Sequence, residues 1–114
     1  MKHAKLADMV KGWFVGDFDP VVLRSTAVEV AVKHYRAGDR EDLHHHRVAT
    51  EVTVIVSGSV RMLGRTWGAG DIVVIEPGEA TAFEALTDVV NVVVKLPSAK
   101  DDKFLGRADG SGDG

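Results

Sequence analysis

Between Val28 and Leu96 the chain is a succession of short apolar runs cut by turn-forming residues, and this punctuation limits the fold more than any other feature. The runs Val52–Val56, Val60–Leu63, Ile72–Ile75, Thr81–Leu86 and Val89–Leu96 are separated by Ser57-Gly58-Ser59, Gly64-Arg65, Gly68-Ala69-Gly70-Asp71, Glu76-Pro77-Gly78-Glu79 and Thr87-Asp88. Strand signals therefore recur about every 8–12 residues with no helical period between them. That pattern predicts an all-β fold, an antiparallel sandwich or jelly-roll barrel.

With 114 residues there is room for one hydrophobic core and not for two. The boundaries read as an N-terminal arm and edge strand over 1–27, a barrel over 28–97 and a C-terminal segment with a flexible tail over 98–114. The net charge of −3 comes without any basic block, so a nucleic-acid partner is not expected. The charged N-terminus lacks the apolar stretch of a signal peptide, and no window approaches the roughly 18 apolar residues of a membrane span. A cytoplasmic protein without a membrane partner is the expectation. Cysteine is absent, so any metal must take nitrogen and oxygen ligands.

Met1 to Gly12 is polar and short, with room for a helical turn. Trp13-Phe14-Val15-Gly16, followed by the turn formers of Asp17-Phe18-Asp19-Pro20, suits a lid or edge strand. Val21 to Tyr35 is the first long strand candidate. Its alternation puts Val28, Val30, Val32 and His34 on one face and Glu29, Ala31, Lys33 and Tyr35 on the other. His34 then lies on the apolar face, either as a core histidine bonded to a carbonyl or as a ligand or catalytic base. Val89 to Val94 is apolar on both faces, so each face needs a cover, and a homodimer packed sheet to sheet would supply the outer one.

The chemistry concentrates in Gly38-Asp-Arg-Glu-Asp-Leu-His44-His45-His46-Arg-Val-Ala-Thr-Glu51. His44 and His46 are two apart, so on an extended backbone their side chains leave one face, roughly 6–7 Å apart at the Cα atoms. His45 turns the other way and suits a solvated loop. The gap before Glu51 lets the chain bend and return a carboxylate toward the pair. Two imidazoles and a carboxylate form a facial set that leaves positions open on a divalent transition metal such as Fe, Mn, Ni or Zn.

The spacing G-x5-H-x-H-x4-E-x6-G, from Gly38 to Gly58, resembles the first motif of the cupin superfamily, whose members are small jelly-roll β-barrels. Gly70-Asp-Ile-Val-Val-Ile-Glu-Pro77-Gly78-Glu-Ala-Thr81-Ala-Phe83 resembles the second, with one departure. The histidine that usually serves as fourth ligand is replaced by Thr81, whose hydroxyl stays protonated near neutral pH and binds such metals poorly. Three arrangements remain open: metal held by His44, His46 and Glu51 alone; a further ligand from Glu79, Glu84 or His34; or a metal-free site where the histidines meet an anionic or sugar-like ligand directly.

The resemblance implies many chemistries, from dioxygenases and isomerases to plain binding modules, and fold does not choose among them. The candidates for proton transfer are His34, Tyr35, Glu79 and Glu84, and those for substrate contact are Thr81 and Phe83. The expected partner is a small organic acid or sugar-like molecule, bound or transformed in the barrel.

Overall fold

The computed structural model describes residues 1–109. Among these residues eleven strands form two sheets. They are β1 (Trp13–Gly16), β2 (Leu23–Arg24), β3 (Glu29–Tyr35), β4 (Arg40–His45), β5 (Thr50–Ser57), β6 (Ser59–Met62), β7 (Arg65–Gly68), β8 (Ile72–Ile75), β9 (Ala80–Ala85), β10 (Val89–Leu96) and β11 (Phe104–Leu105). One sheet has the order β2-β1-β3-β10-β5-β8 and the other β11-β4-β9-β6-β7. All neighbours are antiparallel except β1 and β2. The expected strand over Val21–Tyr35 is two strands, because Ser25 to Val28 breaks the pairing before β3. Two 3₁₀ turns, Leu6–Asp8 and Val10–Gly12, precede β1.

The turns do what their residues dictate. Gly38 lies at φ +92° between β3 and β4, where Asp39 caps the turn by accepting the Arg36 N–H at 2.8 Å. Gly58, at φ +89°, links β5 to β6, and a Cβ there would stand 2.1 Å from the Asp88 carbonyl oxygen. The last glycine of the first motif is thus a close approach between backbones that no side chain can enter.

Inward-facing residues change character along the strands. On β5 they run Glu51, Thr53, Ile55, and on β10 they run Lys95, Val93, Asn91, Val89. The apolar end is closed by Ile55, Val60, Met62, Val73, Ile75, Phe83, Ala85 and Val89, with Tyr35 and Trp67 packed against them. At the polar end the sheets diverge around a cavity.

Strand β3 corrects the expectation for its faces. Ala31 is fully buried and Tyr35 packs on the core, whereas His34 is exposed. The side carrying Lys33 and Tyr35 faces inward and the valine side faces out. Both sides hold apolar residues, and the inner one is fixed by the partner strand, whose buried Asn91 and Val93 pair in register with Lys33 and Ala31.

The C-terminal segment is not a loose appendage over its described length. Residues 98–109 fold back over the histidine stretch, and β11 pairs with β4 through Phe104–His45 and Leu105–His44. The flexible tail expected within 98–114 lies, from residue 110 on, outside the described residues.

Candidate functional site

Strand β4 carries His44 to the cavity, and the loop after it carries His46, which borders a smaller neighbouring pocket with Ala49, Lys95 and Asp102. The two rings meet edge to face with centroids 5.3 Å apart, and both residues are buried. His44 Nδ1 donates to the Asp42 carbonyl oxygen at 2.8 Å. A carbonyl only accepts, so the proton is on Nδ1 and the Nε2 lone pair is left uncommitted. His46 Nε2 is shielded from solvent and has no hydrogen-bond partner. Burial, then Lys95 and His44, push the His46 pKa down to about 4, against the pull of Asp102, so this imidazole is neutral at pH 7.

Glu51 borders the same cavity as His44, but its carboxylate accepts the Thr53 hydroxyl at 3.0 Å. Among the described residues no three His, Asp or Glu side chains gather closely enough to hold a metal ion. The imidazole pair fits a metal, since two nitrogen ligands at ~2.1 Å from one ion set their ring centroids roughly 4.5–5 Å apart. The third member is not assembled with them.

The threonine in the second motif is the cross-strand neighbour of His44 in the β4–β9 ladder. Its hydroxyl donates to the Ala82 carbonyl at 2.8 Å. Thr81 and Phe83 both border the cavity. Among the proton-transfer candidates, Tyr35 borders it too, its ring 4.5 Å from that of Phe83 and its hydroxyl donating to Glu41 at 2.6 Å. Burial first, then the charge of Glu41 and the bond to it, push the Tyr35 phenol well above its usual range, so it is a donor and not a base. Glu79 does not enter the cavity: it sits exposed in the β8–β9 turn and accepts the Glu76 N–H at 3.0 Å. Glu84 alternates outward from Thr81 and Phe83 and pairs with Arg40 at 3.1 Å. His34 is exposed at the cavity rim.

His45 is not solvated as expected. It is 2% exposed, stacks on Phe104 at 5.5 Å and donates from Nδ1 to the Gly106 carbonyl at 2.8 Å. Beyond it, Asp102 accepts the backbone N–H groups of Arg47, Val48 and Ala49 at 2.9–3.0 Å. These bonds outweigh burial and hold its carboxyl below the usual carboxylate range. The loop bearing His46 is thus anchored by the C-terminal segment, and from the other side by the Gly78 N–H, which donates to the His46 carbonyl at 2.7 Å.

Several site residues stand outside the motifs. Five lysines border the cavity, Lys11, Lys33, Lys95, Lys100 and Lys103. Lys95 lies 3.8 Å from Glu29, and Lys103 lies 3.9 Å from Glu41. Burial pushes the Lys33 ammonium below its ordinary value, with Lys95, Lys11 and Lys103 adding to that and Glu41 opposing it. Burial would raise the Glu41 carboxyl, but the bond from Tyr35 and the nearby lysines hold it low and ionised. The signal for Lys33 was its alternation with Ala31 and Tyr35. The C-terminal residues offered no such period.

No protein-family model matches the chain, and no curated protein sequence does. Solved structures do. An uncharacterized conserved protein with a double-stranded β-helix domain from Klebsiella pneumoniae is 21% identical, with 73% of each chain covered and a TM-score of 0.66. The DMSP lyase DddQ from Ruegeria pomeroyi is 21% identical over 91% of this chain and 56% of its own, with a TM-score of 0.67. Oxalate decarboxylase from Bacillus subtilis is 21% identical over 70% of this chain and 24% of its own, with a TM-score of 0.60.

Proposed function

We propose that this chain, which has the double-stranded β-helix fold of the cupin proteins, binds or transforms a small organic acid or sugar-like molecule in the cavity beside His44. A divalent transition metal would be held there by His44 and His46, and Glu51, which borders the same cavity, would have to leave the Thr53 hydroxyl to join them as third ligand. The observation that carries the metal is the pair of uncommitted Nε2 atoms on two touching, buried imidazoles. A buried polar atom without a partner costs about 1–3 kcal/mol, and a metal bond would supply one. When bound, such an ion acts as a Lewis acid or lowers the pKa of a bound water. The residues themselves orient the ligand: Asp42 fixes the His44 tautomer, and Phe83 offers an apolar wall. Solved structures of this fold named oxalate decarboxylase and DMSP lyase support a small-molecule ligand.

Elemental analysis of the purified protein tests the metal. Near-stoichiometric Fe, Mn, Ni or Zn is expected, falling at least tenfold in His44→Ala and clearly in Glu51→Ala. A chain that arrives without metal and takes none up in dialysis supports a metal-free binding module instead. That second reading is favoured by the separation of Glu51 from the imidazole pair.

The outer face of the six-stranded sheet fits a second copy of the chain. Val30, Val94, Val52 and Val74 run across it in register, as do Val32, Val92, Val54 and Ile72. Ile72 is 62% and Val74 48% exposed, so apolar side chains stand open at its β8 edge. Light scattering behind size exclusion is expected to give twice the chain mass, and Val54→Lys to shift it toward one. A monomeric parent protein would refute the dimer.

A further inference from the structure

Lys33 is a half-buried cation that makes no ion pair with a described residue, although Lys95 and Lys103 around it each have a carboxylate. What holds it is aromatic. Its Nζ lies 5.3 Å from the Trp13 ring centroid and 6.0 Å from that of Tyr35, and Lys95 Nζ lies 5.1 Å from the same Trp13 ring. Two ammonium groups are therefore gathered about one indole, at the wall where β1 and β3 pair Trp13 with Ala31. Cation–π contact at this range is worth about 0.5–2 kcal/mol and does not neutralise either charge. The Glu41 charge acts on Lys33 from beyond ion-pair distance and is itself shared with Tyr35 and Lys103, so two ammonium groups side by side still favour an anion that joins them.

Further in, the cavity offers neutral polar groups. Asn91 is 1% exposed, borders the cavity and has an amide oxygen with no partner. His44 adds its free Nε2 on the opposite sheet. Both are acceptors in want of a donor, which a second carboxylate cannot be and a hydroxyl can. The carboxylates Glu29 and Glu41 are already engaged, the first by Ser98 and Lys95 and the second by Tyr35 and Lys103.

We propose that Lys33 and Lys95, gathered around Trp13, form the anion-binding end of the cavity, and that its ligand is a small hydroxycarboxylate whose carboxylate meets these two ammonium groups while its hydroxyls reach Asn91 and, in the metal-free chain, His44. This rests on the reading of the cavity as a small-molecule site and not on the metal. The charge-assisted contacts supply the affinity, and the unpartnered acceptors reject a carboxylate that brings no donor.

Calorimetric titration of the full-length chain, kept in a chelator so that no ion can bridge the ligand, tests this with gluconate, glycerate and galacturonate as probes, sorbitol as the neutral polyol and hexanoate as the carboxylate without hydroxyls. At least one hydroxycarboxylate is expected to saturate at millimolar concentration or below, with sorbitol and hexanoate at least tenfold weaker. Lys33→Met is expected to weaken binding at least tenfold, Lys33→Arg to keep most of it, and Lys2→Met, an exposed control outside the cavity, to change nothing. Lys33 has no ion pair to lose, and an unchanged thermal midpoint would confirm that Lys33→Met is folded. If Lys33→Met binds as tightly as the parent, if sorbitol binds equally well, or if no hydroxycarboxylate saturates, the inference falls. Binding that appears only when metal is restored and ignores Lys33 would overturn it while leaving the metal reading intact.

Discussion

Asp102→Ala is expected to destabilise the protein by about 2–4 kcal/mol, because it strips three backbone N–H groups of their acceptor at once. Arg47, Val48 and Ala49 form the bend that carries the chain from β4 to β5, and Ala49 is 2% exposed, so water does not readily replace the carboxylate there. Asp102→Asn keeps one acceptor oxygen but loses the charge, and should fall between the two. Urea unfolding of the three chains measures the series. Because the same loop bears His46, the alanine variant should also lose any metal or ligand affinity more steeply than its stability. An Asp102→Ala protein within about 0.5 kcal/mol of the parent would show that the C-terminal segment does not anchor the loop.

Acid should unfold the protein partly through His46. Its imidazole titrates near 4 when folded and near 6.5 in an unfolded chain. A base whose folded pKa is depressed favours the folded state fully above its unfolded value, and that contribution disappears as pH falls from about 6.5 through 4. The upper limit of the loss is about 3 kcal/mol. In metal-free protein, the unfolding free energy should therefore drop more between pH 7 and pH 4 for the parent chain than for His46→Asn, which has nothing to protonate. Asp102 and Glu41, whose pKa values are lowered, also lose stability in acid. They remain in both chains and cancel in the comparison, apart from the part of the Asp102 shift that His46 itself contributes. Equal slopes for parent and variant would remove His46 as a source of acid sensitivity.

The fold was legible in the sequence because its signals are local. Alternating runs and glycine turns specify strands and hairpins without reference to anything distant, and the registers from β5 to β10 follow them. The convergence of His44 and His46 was legible for the same reason, since one intervening residue on a strand returns the side chain to the same face. The orientation of β3 was not, because valines on one side and Ala31 with Tyr35 on the other leave the pattern ambiguous. It is settled by partners 54–66 positions away. Nor was the role of Asp102, which bonds amides 53–55 residues earlier and sits in a polar stretch with the composition of a tail. Glu79 and Glu84 were attractive as carboxylates near the second motif, but one belongs to a turn and the other to the outer side of β9.

The passage from polar to apolar along the inward side of β5 and β10 gives the two ends of the barrel opposite tolerances. At Ile55 and Val89 a hydrophilic replacement would disrupt the core, whereas at Lys33, Thr53 or Asn91 a greasy one would tighten the protein while removing polar groups of the proposed site. Heat resistance and recognition therefore pull on the same three strands in contrary directions, so variants selected only for robustness should accumulate at the very positions that make the cavity chemically selective.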